Sequence, residues 1–509
     1  MPASTPSSTT SSTTRGANTA SQRDSTIDAA LIAGLRAAEQ SHLAEHLDTL
    51  APERLASFIA QLESIDFAGV PALVENYVRN KPVFTLPADV QPAPYYPNNH
   101  ASGKRAWDRT AYEKAGQDLI RAGRVACFTV AGGQGTRLGY DGPKGCYPAG
   151  AVSRKPLFQM FAEQIRAHSE RSGHDVPWYI MTSPLNHDAT VEFLRSNDHF
   201  GLKASSVMCF PQGVMPSFDM NSGRILLAAP GEIATNPDGH GGSITALHKS
   251  GAIADMKSRG ITTLSYFQVD NATVHALDPA FLGLHATAPD SSGEMSSKMI
   301  PKAYAEEKLG LFCSCGGRTE VIEYSDLPMD LQRQTTADGS LRFLAGSIAV
   351  HAMSVEFIER LATDPRFSLP YHRAEKKVPC IDPATGARVE PTSPNGVKLE
   401  RFVFDALPLC RASIVYETDR VEEFAPIKNA TGLDSPETCT KLQSERAARW
   451  LRNAGVDVPL TPDGKPDCTI EIAAATAVCA SDLVATDAGR AAVARLKAHP
   501  IARGASVVL

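Results

Sequence analysis

The chain lacks several features that would place a protein of 509 residues in a familiar class. It has no uninterrupted apolar run of about 18 residues, which argues against a membrane-spanning helix. Its ten cysteines are scattered, and only Cys313 and Cys315 are close together, without the second pair typical of a zinc site. No His-Glu-x-x-His motif occurs among its fourteen histidines. We therefore expect reduced thiols and a cytoplasmic protein with no membrane partner.

The chain also lacks an excess of positive charge. Its net charge is −6 at pH 7, which argues against a nucleic-acid-binding surface but leaves room for a local phosphate site. With 43% hydrophobic and 21% charged residues, its composition is that of a globular protein. We expect two or three domains in a monomer or weak homo-oligomer.

Composition divides the chain into four segments. Residues 1–25 are rich in Ser and Thr, which predicts a disordered tail; a transit peptide is the alternative. Residues 26–107 show helical spacing of leucines and then a Pro-rich loop. Residues 108–405 alternate apolar strands with helices, and residues 406–509 predict a small C-terminal α+β domain. The alternation indicates an α/β fold with a mostly parallel sheet, whose ligands bind beyond the carboxyl ends of the strands.

One predicted strand, residues 125–131, runs into a glycine-rich loop. Gly132 and Gly133 allow backbone N–H groups to approach a polyanion closely, because no Cβ stands in the way. Arg137 and Lys144 add two positive charges to the same loop. This combination indicates a nucleoside triphosphate.

Two common phosphate-binding loops do not fit this segment. No Lys-Ser/Thr pair follows the glycines at the P-loop spacing. Leu138 stands where the dinucleotide fingerprint needs its third glycine, which disfavours a nicotinamide-dependent oxidoreductase. A tight surface turn remains the simplest alternative.

Further stretches carry polar groups that suit a nucleotide or its metal. Gln212 can match the edge of a pyrimidine with its side-chain amide. Gly239 lies in a glycine-rich turn, and we expect a helix from Ile244 to Met256, capped by Ser243, to follow this turn. Asp270 follows an apolar strand, where a carboxylate can bind a hard cation. Each also has an ordinary structural interpretation as a loop or turn residue.

Three other stretches suit a phosphorylated sugar. Glu323 can accept hydrogen bonds from hydroxyl groups, although most glutamates are simply solvated. Phe402 and Phe404 alternate, which predicts two rings on one face of a strand, in a site or in the core. Lys428 can meet a phosphate.

Taken in order, these stretches resemble the eukaryotic-type UDP-N-acetylhexosamine pyrophosphorylases, within the UDP-sugar pyrophosphorylase superfamily. The resemblance covers about residues 26–472. Its most specific segments are Ala131–Lys144, Pro211–Pro216, Pro237–Gly242, Val269–Asn271, Pro394–Asp405 and Phe424–Asn429. It implies a Rossmann-like, GT-A-like nucleotidyltransferase domain. It also implies the transfer of UMP from UTP to N-acetylglucosamine 1-phosphate, with Mg2+.

The resemblance implies roles for individual residues. Uridine contacts are implied for Gly132, Gly133, Gln212 and Gly239. Contacts with the phosphates are implied for Arg137, Lys144 and Lys428, and metal binding for Asp270. Sugar contacts are implied for His240, Glu323, Ser347, Phe402 and Phe404.

Two residues depart from the family pattern. His240 and Ser347 stand where these enzymes usually have Asn, and both positions line the sugar side. Another sugar 1-phosphate, such as that of glucose, galactose or N-acetylgalactosamine, is therefore an alternative substrate. A non-catalytic sugar-nucleotide sensor is a further alternative, disfavoured because such a protein has no need of the cations that face the leaving group.

Overall fold

The structure is a computed structural model that describes residues 29–102, 105–383 and 385–509, so the tail of residues 1–25 lies outside the described part. The chain divides into two compact units. The first comprises residues up to Val83 with Val214–Asn236 and His372–Leu399. The second comprises Phe84–Gly213, Pro237–Tyr371 and Glu400–Leu509.

The first unit joins N-terminal helices to short strands. Its helices are residues 29–37, Ser41–Leu47, Pro52–Glu63, Val70–Leu73 and the π-helix Val74–Arg79. Pro52 occupies the first helical position, as predicted, where its missing N–H costs no hydrogen bond. Polar side chains tie the helices to a hairpin: the Gly231 N–H donates to Nε2 of His46 at 3.0 Å.

The short strands of the first unit form small sheets. They are Val214–Pro216, Phe218–Asp219, Leu227–Ala229, Glu232–Ile233, Thr235–Pro237, His372–Lys376, Cys380–Ile381, Arg388–Val389 and Gly396–Glu400, of which Pro237 and Glu400 already belong to the second unit.

A ten-stranded sheet is the centre of the second unit. Four of its strands are parallel neighbours, in the order Thr263–Gln268, Val125–Val130, Trp178–Thr182 and Val207–Pro211. The strand Ala345–Ser354 runs antiparallel beside Thr263–Gln268. The remaining strands are Gln91–Pro92, Met295–Pro301, Leu311–Cys315, Arg318–Ile322 and Val415–Glu417. The predicted mostly parallel core of an α/β fold is confirmed, with antiparallel additions.

Helices cover both faces of this sheet, because alternate residues of a strand point to opposite sides. Cys127 is buried in one cluster with Phe158 of the helix Leu157–Ser172. Phe128 is buried in a second cluster with Ile244 of the helix Gly242–Lys249.

The other helices of the second unit complete the fold. They are Arg109–Arg121, His187–Ser196, Ala252–Ser258, Pro279–Thr287, Met329–Gln332, Val355–Thr363, Arg420–Glu423, Pro436–Asn453, Asp482–Ala485 and Asp487–Ala498. Near the C-terminus, Thr469–Glu471 pairs in parallel with Ser506–Val508. Within the described ranges, none of the helices has the length and apolar character needed to cross a bilayer.

Two local predictions were wrong. The helix expected from Ile244 begins earlier, at Gly242, and Gly251 interrupts it with φ +81°, so Ser243 lies in the first turn rather than at the cap. Phe402 and Phe404 do not share a strand, because the strand ends at Glu400 and a 3-10 helix, Val403–Leu409, begins directly afterwards.

Candidate active site

The glycine-rich loop leaves the carboxyl end of the strand Val125–Val130, as predicted. Asn186, which is buried, donates from Nδ2 to the carbonyls of Ala131 at 3.0 Å and Gly133 at 3.2 Å. The Lys144 N–H donates to the Gly133 carbonyl at 3.0 Å. The loop is therefore held in shape by the protein alone. Sequence reasoning missed Asn186, since a single asparagine in a loop carries no recognisable signal.

Gly132 and Gln212 follow the carboxyl ends of two parallel strands, Val125–Val130 and Val207–Pro211, which lie on either side of Trp178–Thr182. A Cβ on Gly132 would lie 2.5 Å from Oε1 of Gln212, so only glycine fits there without moving that amide. The Gln212 N–H donates to the Thr182 carbonyl at 2.8 Å, which fixes the backbone at the end of the strand. The buried Gln212 side chain is thus placed beside the glycine loop.

The two predicted cations belong to the same loop but differ in exposure. Arg137 lies on a 3-10 turn, Thr136–Leu138, with its side chain exposed. Lys144 is half-buried and starts a second 3-10 turn. Its Cε lies 3.8 Å from the point that a Cβ of Gly133 would occupy, so the lysine side chain packs against the glycine loop.

A second glycine loop pairs with the backbone of Arg401. Gly239 has φ +82°, and a Cβ there would lie 2.4 Å from the Arg401 carbonyl oxygen. The Arg401 N–H donates to the Asp238 carbonyl at 2.9 Å, and the Gly241 N–H donates to the Arg401 carbonyl at 2.7 Å. Glycine is required at position 239 for both the left-handed conformation and this close approach.

Beneath this loop lies the buried carboxylate of Asp238. Burial raises its pKa to about 6, against the opposing effect of the Arg401 guanidinium 3.4 Å away. Ideal Cβ atoms on Gly213 and Gly242 would lie 2.8 Å and 2.0 Å from its oxygens. The carboxylate therefore fills a space that both glycines leave open.

His240, Phe402 and Phe404 form one aromatic cluster. The His240 ring stacks on Phe402 with centroids 5.0 Å apart and an interplanar angle of 10°, and Phe404 lies 5.5 Å from His240. The Val403 N–H donates to Nδ1 of His240 at 3.1 Å. Because Nδ1 accepts this bond, the neutral imidazole carries its proton on Nε2.

A cleft of about 180 Å3 brings together six of the predicted site residues. They are His240, Asp270, Glu323, Ser347, Phe404 and Lys428. The described lining does not include Gly132, Gly133, Arg137, Lys144, Gln212, Gly239 or Phe402. It does include Lys308, a further cation that sequence reasoning missed because no motif surrounds it.

Asp270 and Lys428 are held near each other by backbone pairing. The Ile427 N–H donates to the Asp270 carbonyl at 2.8 Å, and the Lys428 N–H donates to the Asp434 carbonyl at 2.7 Å. Nζ of Lys428 lies 5.7 Å from the centre of the Phe424 ring. The half-buried carboxylate of Asp270 and the half-buried ammonium of Lys428 therefore share one cleft, although the two residues are far apart in the sequence.

Glu323 and Ser347 flank Gly310 on another wall of the cleft. The Ser347 N–H donates to the Gly310 carbonyl at 2.8 Å. A Cβ on Gly310 would lie 3.2 Å from Oε1 of Glu323. The strand Ala345–Ser354 thus brings Ser347 close to a glutamate that comes from a different part of the sheet.

The donor set of the cleft can be compared with what a metal ion requires. Within the described ranges, no group of three or more His, Cys, Asp or Glu side chains could hold a metal. Mg2+ commonly binds one or two carboxylates and takes its other ligands from water and substrate phosphates. Asp270 alone therefore fits a metal that arrives with a triphosphate, and the site does not fit a metal held by the protein alone.

These features define the class of protein. A glycine loop beside a buried amide, and cations near a carboxylate beyond the carboxyl ends of parallel strands, are typical of an α/β enzyme acting on nucleotides. The chain belongs to the UTP--glucose-1-phosphate uridylyltransferase family, whose model matches residues 101–443. It is thus a uridylyltransferase, and the predicted membership of the UDP-sugar pyrophosphorylase superfamily is confirmed.

Individual relatives support this assignment. The chain is 34% identical over 435 residues to the UDP-N-acetylglucosamine pyrophosphorylase of Saccharomyces cerevisiae, covering 83% of this chain and 90% of that protein. It is 35% identical over 425 residues to UDP-N-acetylglucosamine diphosphorylase 2 of Arabidopsis thaliana, covering 80% and 82%. The structure of the uridine diphosphate N-acetylglucosamine pyrophosphorylase from Trypanosoma brucei superposes with a TM-score of 0.78 at 25% identity, covering 94% and 98%.

Proposed function

We propose that the protein transfers UMP from UTP to N-acetylglucosamine 1-phosphate, forming UDP-N-acetylglucosamine and pyrophosphate. The observation that carries this proposal is the cleft itself. It combines groups suited to phosphate and metal, Asp270 and Lys428, with groups suited to a sugar, Glu323, Ser347 and Phe404. The names of the relatives from yeast, plant and trypanosome support the same substrate.

In this proposal the uracil base binds between the two glycine loops. Backbone N–H groups at Gly132, Gly133 and Gly239 and the amide of Gln212 match its donors and acceptors. A different base would leave buried polar groups without partners, at a cost of roughly 1–3 kcal/mol each. UTP is therefore preferred over ATP, CTP and GTP.

Mg2+ is the proposed cofactor, held by Asp270 and the phosphates of UTP. When bound, it neutralises charge on the triphosphate and on the leaving pyrophosphate. In this proposal Arg137 and Lys144 face the triphosphate or the leaving pyrophosphate, and Lys428 faces the phosphates of the sugar nucleotide.

The chemistry requires no general base. A phosphate monoester has its second pKa near ~6, so the sugar phosphate is largely dianionic at neutral pH. One of its oxygens attacks the α-phosphorus of UTP, a new P–O bond forms, and the bond to the bridging oxygen of pyrophosphate breaks. The barrier lies in bringing two polyanions together and in the charge of the transition state. Positioned cations lower both costs.

The choice of sugar depends in this proposal on His240, Glu323, Ser347 and the phenylalanine pair. Because Nδ1 of His240 accepts the Val403 N–H, the neutral ring carries its only N–H on Nε2, whereas an asparagine has both an amide donor and an amide acceptor. This difference favours keeping glucose 1-phosphate, galactose 1-phosphate and N-acetylgalactosamine 1-phosphate as alternative substrates.

A panel of sugar 1-phosphates tests the proposal. Each sugar is supplied with UTP and Mg2+, and pyrophosphate release is measured for kcat/KM. We expect the highest value with N-acetylglucosamine 1-phosphate. A higher value with glucose 1-phosphate would select the alternative, and no release with any sugar would contradict the proposed function.

A further inference from the structure

A buried lysine lies within the second unit, outside the described lining of the cleft. Lys298, on the strand Met295–Pro301, is 1% exposed, and its Nζ lies 2.6 Å from both carboxylate oxygens of Glu423 and 2.6 Å from Oδ2 of Asp278. Burial opposes the charged form, yet the two carboxylates raise the pKa of Lys298 above its usual value. Lys298 thus forms ion pairs with both Glu423 and Asp278 in the protein interior.

Burying such a cluster of charges costs free energy. Removing ions from water costs several kcal/mol per ion, and the attraction between them often only offsets that cost. Apolar side chains of similar size can stabilise a core as well or better. A role in stability therefore does not by itself account for Lys298 and Glu423.

The contacts of Glu423 lead directly to the cleft. Its carboxylate also accepts hydrogen bonds from Oγ1 of Thr418 at 2.9 Å and from the His275 N–H at 3.2 Å. Its backbone carbonyl accepts a bond from Nδ2 of Asn271 at 2.8 Å. Asn271 is buried and immediately follows Asp270.

Asn271 clamps two chain segments together through both ends of its amide. Its Oδ1 accepts from the Ala425 N–H at 3.0 Å, and its backbone pairs antiparallel with Pro426. The next bond of the same short ladder runs from Ile427 to Asp270. Asp270 is thus the residue before Asn271, on one side of the clamp. Lys428 lies two residues after Pro426, on the other side.

We infer that Asn271 and the buried Lys298–Glu423 ion pair are positioning residues that fix the separation between the carboxylate of Asp270 and the ammonium of Lys428. The inference rests on the proposed function, because it assigns these two groups to the same reaction. The ion pair anchors residue 423, and the amide then sets the register of residues 423–427 against residues 270–272. Lys298 lies outside the described lining of the cleft, whereas Asn271 is part of it. Because both ends of the Asn271 amide are bonded to the protein backbone, neither residue needs to touch a substrate.

The test uses two variants and one matched control in the full-length chain. Asn271→Ala removes both amide bonds of the clamp. Glu423→Gln keeps the side-chain shape but removes one of the two negative charges that face Lys298. The control is Glu294→Gln, a buried carboxylate paired with Arg360 at 2.9 Å and Arg411 at 3.1 Å, which is absent from the described cleft lining.

For Asn271→Ala we expect kcat per folded molecule to fall about 100-fold, the size of loss that a displacement of about 1 Å produces. For Glu423→Gln we expect a loss of about tenfold, because Asp278 still holds Lys298. KM for UTP should change less than about threefold in both, since the proposed uridine contacts lie elsewhere. Glu294→Gln should lower the melting temperature while kcat remains as in the wild type.

A second measurement does not depend on turnover. Hydrogen exchange, followed by mass spectrometry on a peptide covering residues 421–430, should be faster in Asn271→Ala and Glu423→Gln than in the wild type and unchanged in Glu294→Gln. Unchanged exchange together with wild-type kcat in the folded variants would overturn the inference. If Asn271→Ala does not fold, Glu423→Gln decides alone.

These outcomes separate the inference from the proposed function. An inactive wild-type chain would contradict the function, while the exchange rates would still decide whether the clamp holds residues 423–427. An active wild type whose variants show normal kcat and normal exchange would contradict the inference and leave the function intact.

Discussion

The buried carboxylate of Asp238 gives a prediction whose size follows from the structure. Its pKa is raised from 3.8 to about 6, mainly by burial. A carboxyl group with a higher pKa in the folded than in the unfolded state contributes its full stability only below pH ~4, and that stability is lost as the pH rises through about 6. The ionised form at neutral pH therefore destabilises the fold.

Asp238→Asn removes this titration and keeps the shape of the side chain. Each pH unit of pKa difference is worth about 1.4 kcal/mol, so the full effect is about 3 kcal/mol. Treating Asn as equivalent to protonated Asp, we expect the variant to be more stable by about 0.5 kcal/mol at pH 4 and by about 3 kcal/mol at pH 8.

Urea unfolding followed by tryptophan fluorescence measures this difference. The three tryptophans, Trp107, Trp178 and Trp450, all belong to the compact unit that contains Asp238, so the signal reports on that unit. The wild type and the variant are compared at each pH. A difference that is the same at every pH would show that the ion pair with Arg401 offsets the cost of burial. A wild type that is more stable at pH 8 would show that the ion pair outweighs that cost.

Further predictions concern the proposed chemistry. Lys144→Ala and Arg137→Ala should each lower kcat on the order of 100-fold through loss of one positioned charge, with little change in melting temperature; a near-normal rate would remove that residue from the proposed catalytic set. Asp270→Asn should weaken Mg2+ dependence and activity together, and full activity of the wild type in excess chelator would refute the metal requirement. His240→Asn should change the ratio of kcat/KM for N-acetylglucosamine 1-phosphate over glucose 1-phosphate; an equal change in KM for UTP would show that His240 is not specific to the sugar.

Much of the fold follows from local patterns in the sequence. The strand Val125–Val130 and its neighbour Thr263–Gln268 are short apolar runs that end in polar or glycine-rich loops, and such runs are recognisable without a structure. Gly132 and Gln212 each follow the carboxyl end of a parallel strand, and such strand ends meet at one edge of the sheet.

Other features depend on contacts that no local pattern encodes. The strand Gly396–Glu400 ends where the backbone of Arg401 pairs with the distant loop at Asp238 and Gly241. The chain then turns into the 3-10 helix Val403–Leu409. For the same reason, the alternation of Phe402 and Phe404 predicted a strand where none forms. The clamp at Asn271 was equally invisible, because its partners lie more than 150 positions away.

The path of the phosphate oxygens tests the central claim most directly. N-acetylglucosamine 1-phosphate labelled with 18O in its non-bridging phosphate oxygens is incubated with UTP, Mg2+ and the wild-type chain, and both products are analysed by mass spectrometry. Direct attack of the sugar phosphate on the α-phosphorus predicts that all label stays in UDP-N-acetylglucosamine and that the pyrophosphate carries none. Label in the pyrophosphate, or no sugar nucleotide at all, would contradict the account.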